Sequence, residues 1–127
     1  VPAHATSLGK VILASLSPDK IPQILGGGSL EKFTDRTITS VEQLNTELQK
    51  VRNQGYALDD AEHEREIRCV ASPIFDHKCD VVAAVSITVP AAKYSRSELN
   101  QFVDPVKNSA RKISTKIGNR SCEYQRR

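Results

Sequence analysis

Apolar residues recur along this chain in two rhythms, one with a period of two and one with a period near 3.6. Between residues 67 and 90 (IRCVASPIFD, HKC, DVVAAVSITVP), Val, Ile and Ala dominate two runs around a polar joint, Asp76-His77-Lys78-Cys79. That pattern predicts two strands of a hairpin. A loop of even count centred on His77-Lys78 pairs Phe75 with Asp80, Cys69 with Ser86, Ile67 with Thr88 and Ala71 with Ala84. A loop of odd count would shift this pairing. Side chains alternate between faces along a strand. One face carries Arg68, Val70, Ser72, Ile74, Val81, Ala83, Val85 and Ile87 and is mostly a packing face. The other carries Ile67, Cys69, Ala71, Val82, Ala84, Ser86 and Thr88. A thiol and two hydroxyls among small apolar residues suit a small-molecule pocket. They equally suit a packed sheet whose Ser and Thr bond neighbouring backbone.

The helical rhythm appears four times. Residues 1–16 open with a short extended segment; Thr6 is then a candidate N-cap, with Leu8, Val11, Ile12 and Leu16 on one helical face. Ser17-Pro18 predicts a second helix start, with Ile21, Ile24 and Leu25 inward and Gly26-Gly27-Gly28 as its stop. Residues 30–39 have no clear period and read as a loop with a short turn. Ser40 with Gln43 forms a capping box, and Val41, Leu44, Leu48 and Val51 mark an amphipathic helix that ends at Gly55. Residues 56–59 (YALD) predict a short strand, and 60–66 (DAEHERE) a charged turn. After the hairpin, Ser95 with Glu98 is a second capping box. Leu99, Phe102, Val103, Val106, Ala110, Ile113 and Ile117 form a long stripe closed by Gly118. Pro105 should kink that helix or reset its start. Residues 119–127 read as a polar, frayed tail. The sum is an α+β domain, antiparallel strands with helices against them.

Composition narrows this picture. The 127 residues can build one real core, and with no Trp and no Met that core must be aliphatic. The net charge of +3 is dispersed, which argues against nucleic-acid binding by this segment. No apolar run approaches membrane-spanning length, and no signal peptide is expected before the domain. Cys69, Cys79 and Cys122 are an odd count without a CxxC. A disulfide framework is therefore not expected, and a reducing cytoplasm fits. The start at Val1-Pro2 suggests a piece of a longer polypeptide.

The candidate chemistry is modest. Thr6-Ser7-Leu8-Gly9 sits at a helix start, where unpaired amides and the dipole favour a carboxylate or phosphate; an ordinary capped helix is the alternative. His4, just before it, could meet a ligand or simply pack. Cys69 could be a nucleophile only with a base or cation to form thiolate. His63 is near in sequence, but nothing fixes the two together, and a buried Cys commonly acts as a small apolar residue. Asp59 and Asp60 could do acid–base work or cap a turn. His77 and Cys79 are too few for a metal site. No catalytic residue, metal or cofactor is expected.

Several motifs together resemble a known family: HATSLGK (4–10), RTIT (36–39), GYALDDAEHE (55–64), IRCVASPIFD (67–76) and AAVSITVP (83–90). Their order and spacing are similar to the C-terminal effector-binding domain of IclR-type bacterial transcriptional regulators, over almost all of residues 4–118. The resemblance implies a GAF-like fold, a curved antiparallel sheet flanked by helices, with a ligand cavity. It implies an effector-binding domain over 1–118, lacking its upstream strands, then the tail at 119–127. It also implies an N-terminal winged helix-turn-helix, absent from this chain, through which DNA would be bound.

By the same resemblance, a small organic acid would meet backbone N–H groups at Ser7 and Leu8. It would further contact Asp59, Cys69, Ser86 and Thr88, with Ile67 as an apolar wall. Glu66 and Val89 stand where many members have Gly, and Ser7-Leu8 is larger than the Gly-Ala of some; these changes would alter the cavity's rim and volume. Family members form dimers and often tetramers, so a homo-oligomer is expected. The readings compared are an effector sensor that shifts DNA affinity, an oligomerisation module with a vestigial pocket, and a GAF-like redox enzyme using Cys69. Against the last, Cys79 sits at the far end of the hairpin from Cys69. The sensor reading is preferred, with no enzymatic activity.

Overall fold

The computed structural model describes residues 2–26, 29–119, 123 and 124. Among these residues four helices and three strands follow in the order α1 (Ser7–Ala14), α2 (Lys20–Leu25), α3 (Val41–Gln54), β1 (Ala57–Asp60), β2 (Ile67–Phe75), β3 (Val81–Pro90) and α4 (Asn100–Lys116), with a 3₁₀ turn at Ser97–Leu99 before α4. The strands form an antiparallel sheet in the order β1-β2-β3. This is the expected α+β architecture.

Both faces of the sheet are covered. Val11, Leu13, Leu44, Leu48 and Val51 from α1 and α3 pack on Ala57, Ala71 and Phe75. On the other face Val106 of α4 and Leu99 pack on Val70 and Val89, with Ile87, Tyr94 and Phe102 alongside. The core is mainly aliphatic, as expected, with Phe75 and Tyr124 as its buried aromatic residues. Central β2 is buried from Val70 onward, whereas β3 is a mixture of half-buried and exposed positions with Val89 buried.

The caps are as expected. Thr6 Oγ1 accepts the Gly9 N–H (3.1 Å) and Ser40 Oγ the Gln43 N–H (3.1 Å). Ser95 and Glu98 satisfy each other's backbone N–H groups. Gly55 closes α3 at φ +81°, a left-handed conformation that glycine adopts without steric cost.

The hairpin differs in register. Its loop has three residues, His77, Lys78 and Cys79, closed by the Asp76 N–H on the Asp80 carbonyl (2.9 Å), with Cys79 left-handed at φ +65°. That odd count moves the pairing by one. A bulge between Ile74 and Phe75, where Val82 is the extra residue, moves it by one more. Cys69 therefore pairs with Thr88, Ala71 with Ser86 and Ile67 with Pro90, not with Ser86, Ala84 and Thr88. Because the total shift is two, the face assignment survives beyond the bulge. Next to the loop it does not: Val81 opposes Phe75 and joins the α1/α3 core, while Val82 is exposed.

Other expectations need correcting. Residues 3–5 form a turn, not an extended segment. The buried face of α1 is Ser7, Lys10, Val11 and Ala14 with Leu13, while Leu8 and Ile12 stay exposed. Two contacts outside the apolar period set that rotation: a buried ion pair at Lys10, and the approach of Ala3 to Gly9, where a Cβ would stand 2.4 Å from the Ala3 Cα. Helix α2 starts at Lys20, two residues past Pro18, and leaves Ile24 exposed; Gly27 and Gly28 lie outside the described residues. Helix α4 runs through Pro105. The carbonyl that Pro105 cannot bond belongs to Gln101, and both residues are exposed, so water can satisfy it. The stripe of α4 runs past its partner, leaving Ile113 and Ile117 exposed. Val89 packs under α4, on the face away from Cys69, and so does not line a cavity there.

The end of the chain is not uniformly a polar fringe. Tyr124 is buried, its ring stands edge-on to Phe75, and its hydroxyl donates to the Val11 carbonyl (2.8 Å). Asn119 donates to the Asp76 carbonyl. Glu123 is exposed, and positions 120–122 and 125–127 lie outside the described residues. Cys79 is in a disulfide whose partner also lies outside them. Cysteine count alone had argued against a bridge; it carries no information on which thiols the fold brings together.

Candidate functional site

Antiparallel pairing builds one row across all three strands: Asp59 opposes Cys69, and Cys69 opposes Thr88. Ser86 lies in the next row, opposite Ala71, and Ile67 ends the array opposite Pro90. The start of α1 is laid over this row. Ser7 is 2% exposed and lies near enough to Cys69 to act on its thiol. Thr6 takes up the Gly9 and Lys10 amides through its hydroxyl and carbonyl. The Ser7 and Leu8 amides belong to the first turn of α1, where the helix supplies no acceptor. Of the residues singled out from the sequence, Asp59, Cys69 and Thr88 share one row, Ser86 stands in the next, Ile67 lies at the end of the array, Ser7 is buried at the start of α1, and the Leu8 side chain is 40% exposed.

Burial raises both titratable groups of the row, Asp59 and Cys69. Burial pushes the Asp59 carboxyl up to about 6, aided by the Glu62 carboxylate. The Glu62 N–H (2.8 Å from Oδ1) and the charges of Lys10 and His63 pull against this. Burial likewise raises the Cys69 thiol, against hydrogen bonds from Thr88 (3.4 Å) and Ser7, while the Asp59 charge adds to the rise. A thiol held in its protonated form is a poor nucleophile. The group can hydrogen-bond a ligand but is not activated to attack one.

The row is open rather than enclosed. Ser86 and Thr88 are exposed along β3. Cavities of about 240 Å³, between the end of α3 and α4, and about 290 Å³, at the outer edge of β1, have none of the seven residues in their walls. Among the described residues no group of three His, Cys, Asp or Glu side chains could hold a metal ion, and no helix is long and apolar enough to cross a membrane. His4 packs: its Nε2 meets the Glu31 carbonyl at 2.7 Å, and its ring lies 5.8 Å from that of Phe33.

Sequence reasoning passed over two clusters. Lys10 is fully buried, with Nζ 2.7 Å from Glu62 Oε1, 2.8 Å from the Leu58 carbonyl and 3.5 Å from Glu47. It ties α1 to the end of β1 beside Asp59. The signal was its spacing, since Ser7, Lys10, Val11 and Ala14 share one helical face. The second cluster is Asp60, on which Arg36, Arg68 and Arg96 converge. It lies at the next position after Asp59, where strand alternation turns the side chain to the opposite face.

The model of the bacterial transcriptional regulator IclR C-terminal family matches residues 1–115. The regulator KdgR of Escherichia coli is 42% identical over 117 residues, covering 92% of this chain and 44% of KdgR. The crystal structure of its C-terminal domain superposes with a TM-score of 0.82 over 92% of this chain and 71% of that one. The IclR protein of Thermotoga maritima gives 0.81 at 39% identity, over 91% of this chain and 47% of its own. The inducer-binding domain of Acinetobacter PobR, solved as a double mutant in complex with 3-hydroxybenzoic acid, gives 0.80 at 30% identity, over 90% and 66%. This chain spans less than half the length of the curated relatives it matches. Those relatives are transcriptional regulators, which agrees with the expected lack of enzymatic activity. The chain belongs to the IclR family of bacterial transcriptional regulators and corresponds to its C-terminal domain.

Proposed function

We propose that this chain is an effector-sensing domain that binds a small organic acid across the Asp59–Cys69–Thr88 row. Binding would shift the DNA affinity of a winged helix-turn-helix carried elsewhere in the polypeptide, in the cytoplasm. The observation that carries this reading is the juxtaposition of the α1 start with that row. Helix-terminal amides at Ser7 and Leu8 would take the carboxylate, Cys69, Ser86 and Thr88 would bond the rest, and Ile67 would wall it. Asp59 must be protonated to sit beside an anion, and its raised pKa favours that. The PobR domain, whose complex holds an aromatic carboxylic acid, supports the ligand class. By linkage, the acid alters DNA affinity only as far as it prefers one of two states of the regulator. The open β3 side of the row supports one rival, an oligomerisation module with a vestigial pocket.

A thermal-shift screen of small carboxylates separates the two, since the rival predicts no stabilisation by any acid. For an acid that binds, Ser86→Ala should weaken affinity by about 0.5–1.5 kcal/mol, the worth of one neutral hydrogen bond. Unchanged affinity in that variant and in Cys69→Ser would place the ligand elsewhere.

A further inference from the structure

We propose that the cavity at the outer edge of β1 is a second ligand site, one that takes a small carboxylate with an apolar body between Arg36 and Arg96. It is separate from the row that carries the sensing reading above. Its floor is Asp60. One carboxylate there faces three guanidiniums: Arg68 Nε at 2.8 Å from Oδ1, Arg36 Nη1 at 2.9 Å and Arg96 Nε at 3.5 Å from Oδ2. Arg68 is used up, because its Nη1 also donates to the Ala91 and Tyr94 carbonyls. Arg36 and Arg96 are not. Arg36 donates one N–H group to Asp60 Oδ2, Arg96 approaches the same oxygen only as an ion pair, and their side chains are 57% and 61% exposed. A guanidinium has five N–H donors in a planar fork suited to a carboxylate, so most of both forks remains unspent.

Glu47 and Glu62, which also line the cavity, are both engaged by Lys10, so Asp60 is the lining carboxylate that Arg36 and Arg96 face. The volume of about 290 Å³ fits a small molecule. Half-buried Ile38 and Leu58 supply an apolar wall beside the forks, which bare phosphate or acetate would leave unfilled. The forks come from opposite sides of β1, Arg36 from the loop before α3 and Arg96 from the 3₁₀ turn before α4. A carboxylate joining them would tie these two segments together.

The test follows the Arg Nε–Hε resonances of the ¹⁵N-labelled chain during titration with butyrate, acetate and inorganic phosphate. Butyrate should shift the Arg36 and Arg96 signals saturably and bind more tightly than acetate. Arg36→Gln and Arg96→Gln should each weaken it by about tenfold, the loss of one charge-assisted pair. Ser86→Ala should leave these shifts unchanged, which separates this site from the strand row. The proposal is overturned if butyrate gives no saturable shift at either arginine, or if butyrate still shifts the backbone amides around Asp60 saturably, with the parent's affinity, in Arg36→Gln/Arg96→Gln. Phosphate or acetate binding as tightly as butyrate would overturn the assignment of an organic ligand. Arg36 and Arg96 hold exposed ion pairs, so both variants should fold, and their amide spectra report whether they do.

Discussion

Asp59 shows how one buried carboxyl sets the chemistry of the row. Its pKa is raised, so between about 4 and 6 the folded chain holds a proton that the unfolded chain has released. Its contribution to stability is therefore complete below the unfolded value and is lost as pH rises through about 6. Asp59→Asn keeps an acceptor for the Glu62 N–H but removes this titration. The variant should gain on the parent by roughly 1–3 kcal/mol between pH 4 and pH 7, measured by urea unfolding at both. An unchanged difference would mean that Asp59 ionises freely. Lys10 is the opposite case, a charge kept buried because it is matched. Lys10→Met strands Glu62 and should cost about 3–5 kcal/mol, while Lys10→Met/Glu62→Gln should recover much of that by replacing the pair with a neutral one. Equal losses in the two would argue that packing, not charge, fixes the residue.

Helix α1 is the element on which the site depends, and Gly9 allows it to dock. The chain at Ala3 crosses so near that no side chain fits between them. Gly9→Ala must push the turn at 3–5 off the helix, at a cost of about 1–3 kcal/mol by overpacking. A melting temperature equal to the parent's would show that the turn gives way freely. Helix propensity alone predicts the opposite sign, since Ala is the better helix former, so the direction separates the two effects. In the hairpin, two irregularities of one residue each cancel over most of its length. Without the bulge, the loop's odd count would turn Ser86 and Thr88 to the face of α4.

For the whole molecule, the sheet leaves β3 as one edge and α4 leaves Ile113 and Ile117 uncovered. An open edge invites pairing, and two-fold contacts are the commonest closed arrangement. The expected state is a symmetric dimer. Sedimentation equilibrium over a wide concentration range checks it, and a monomer mass throughout would refute it. A contact between copies also bears on sensing, because an effector moves distant DNA-binding heads only through a contact with two arrangements.

Local patterns in the chain were enough for the elements: three of the four helices within a residue or two of their starts, all three strands, the Ser40 cap, the Ser95–Glu98 capping box and the stop at Gly55. These rest on neighbours within one turn or one strand, which sequence spacing encodes directly. The sidedness of β2 and β3 was legible for the same reason, so Cys69, Ser86 and Thr88 could be placed on one face before any fold was known. Motif resemblance joined Ser7, Leu8 and Asp59 to them. What spacing could not encode was the choice between contacts distant in the chain. The rotation of α1 was decided by Lys10 meeting Glu62, 52 residues away. Burial of Tyr124 depends on Val11, 113 residues earlier. The register was decided by the loop closure at Asp76 and the bulge at Val82, where one residue more or less barely alters the hydrophobic pattern. The arginines around Asp60 read as ordinary surface charge, because their convergence exists only once β1, β2 and the segments beside them are packed together.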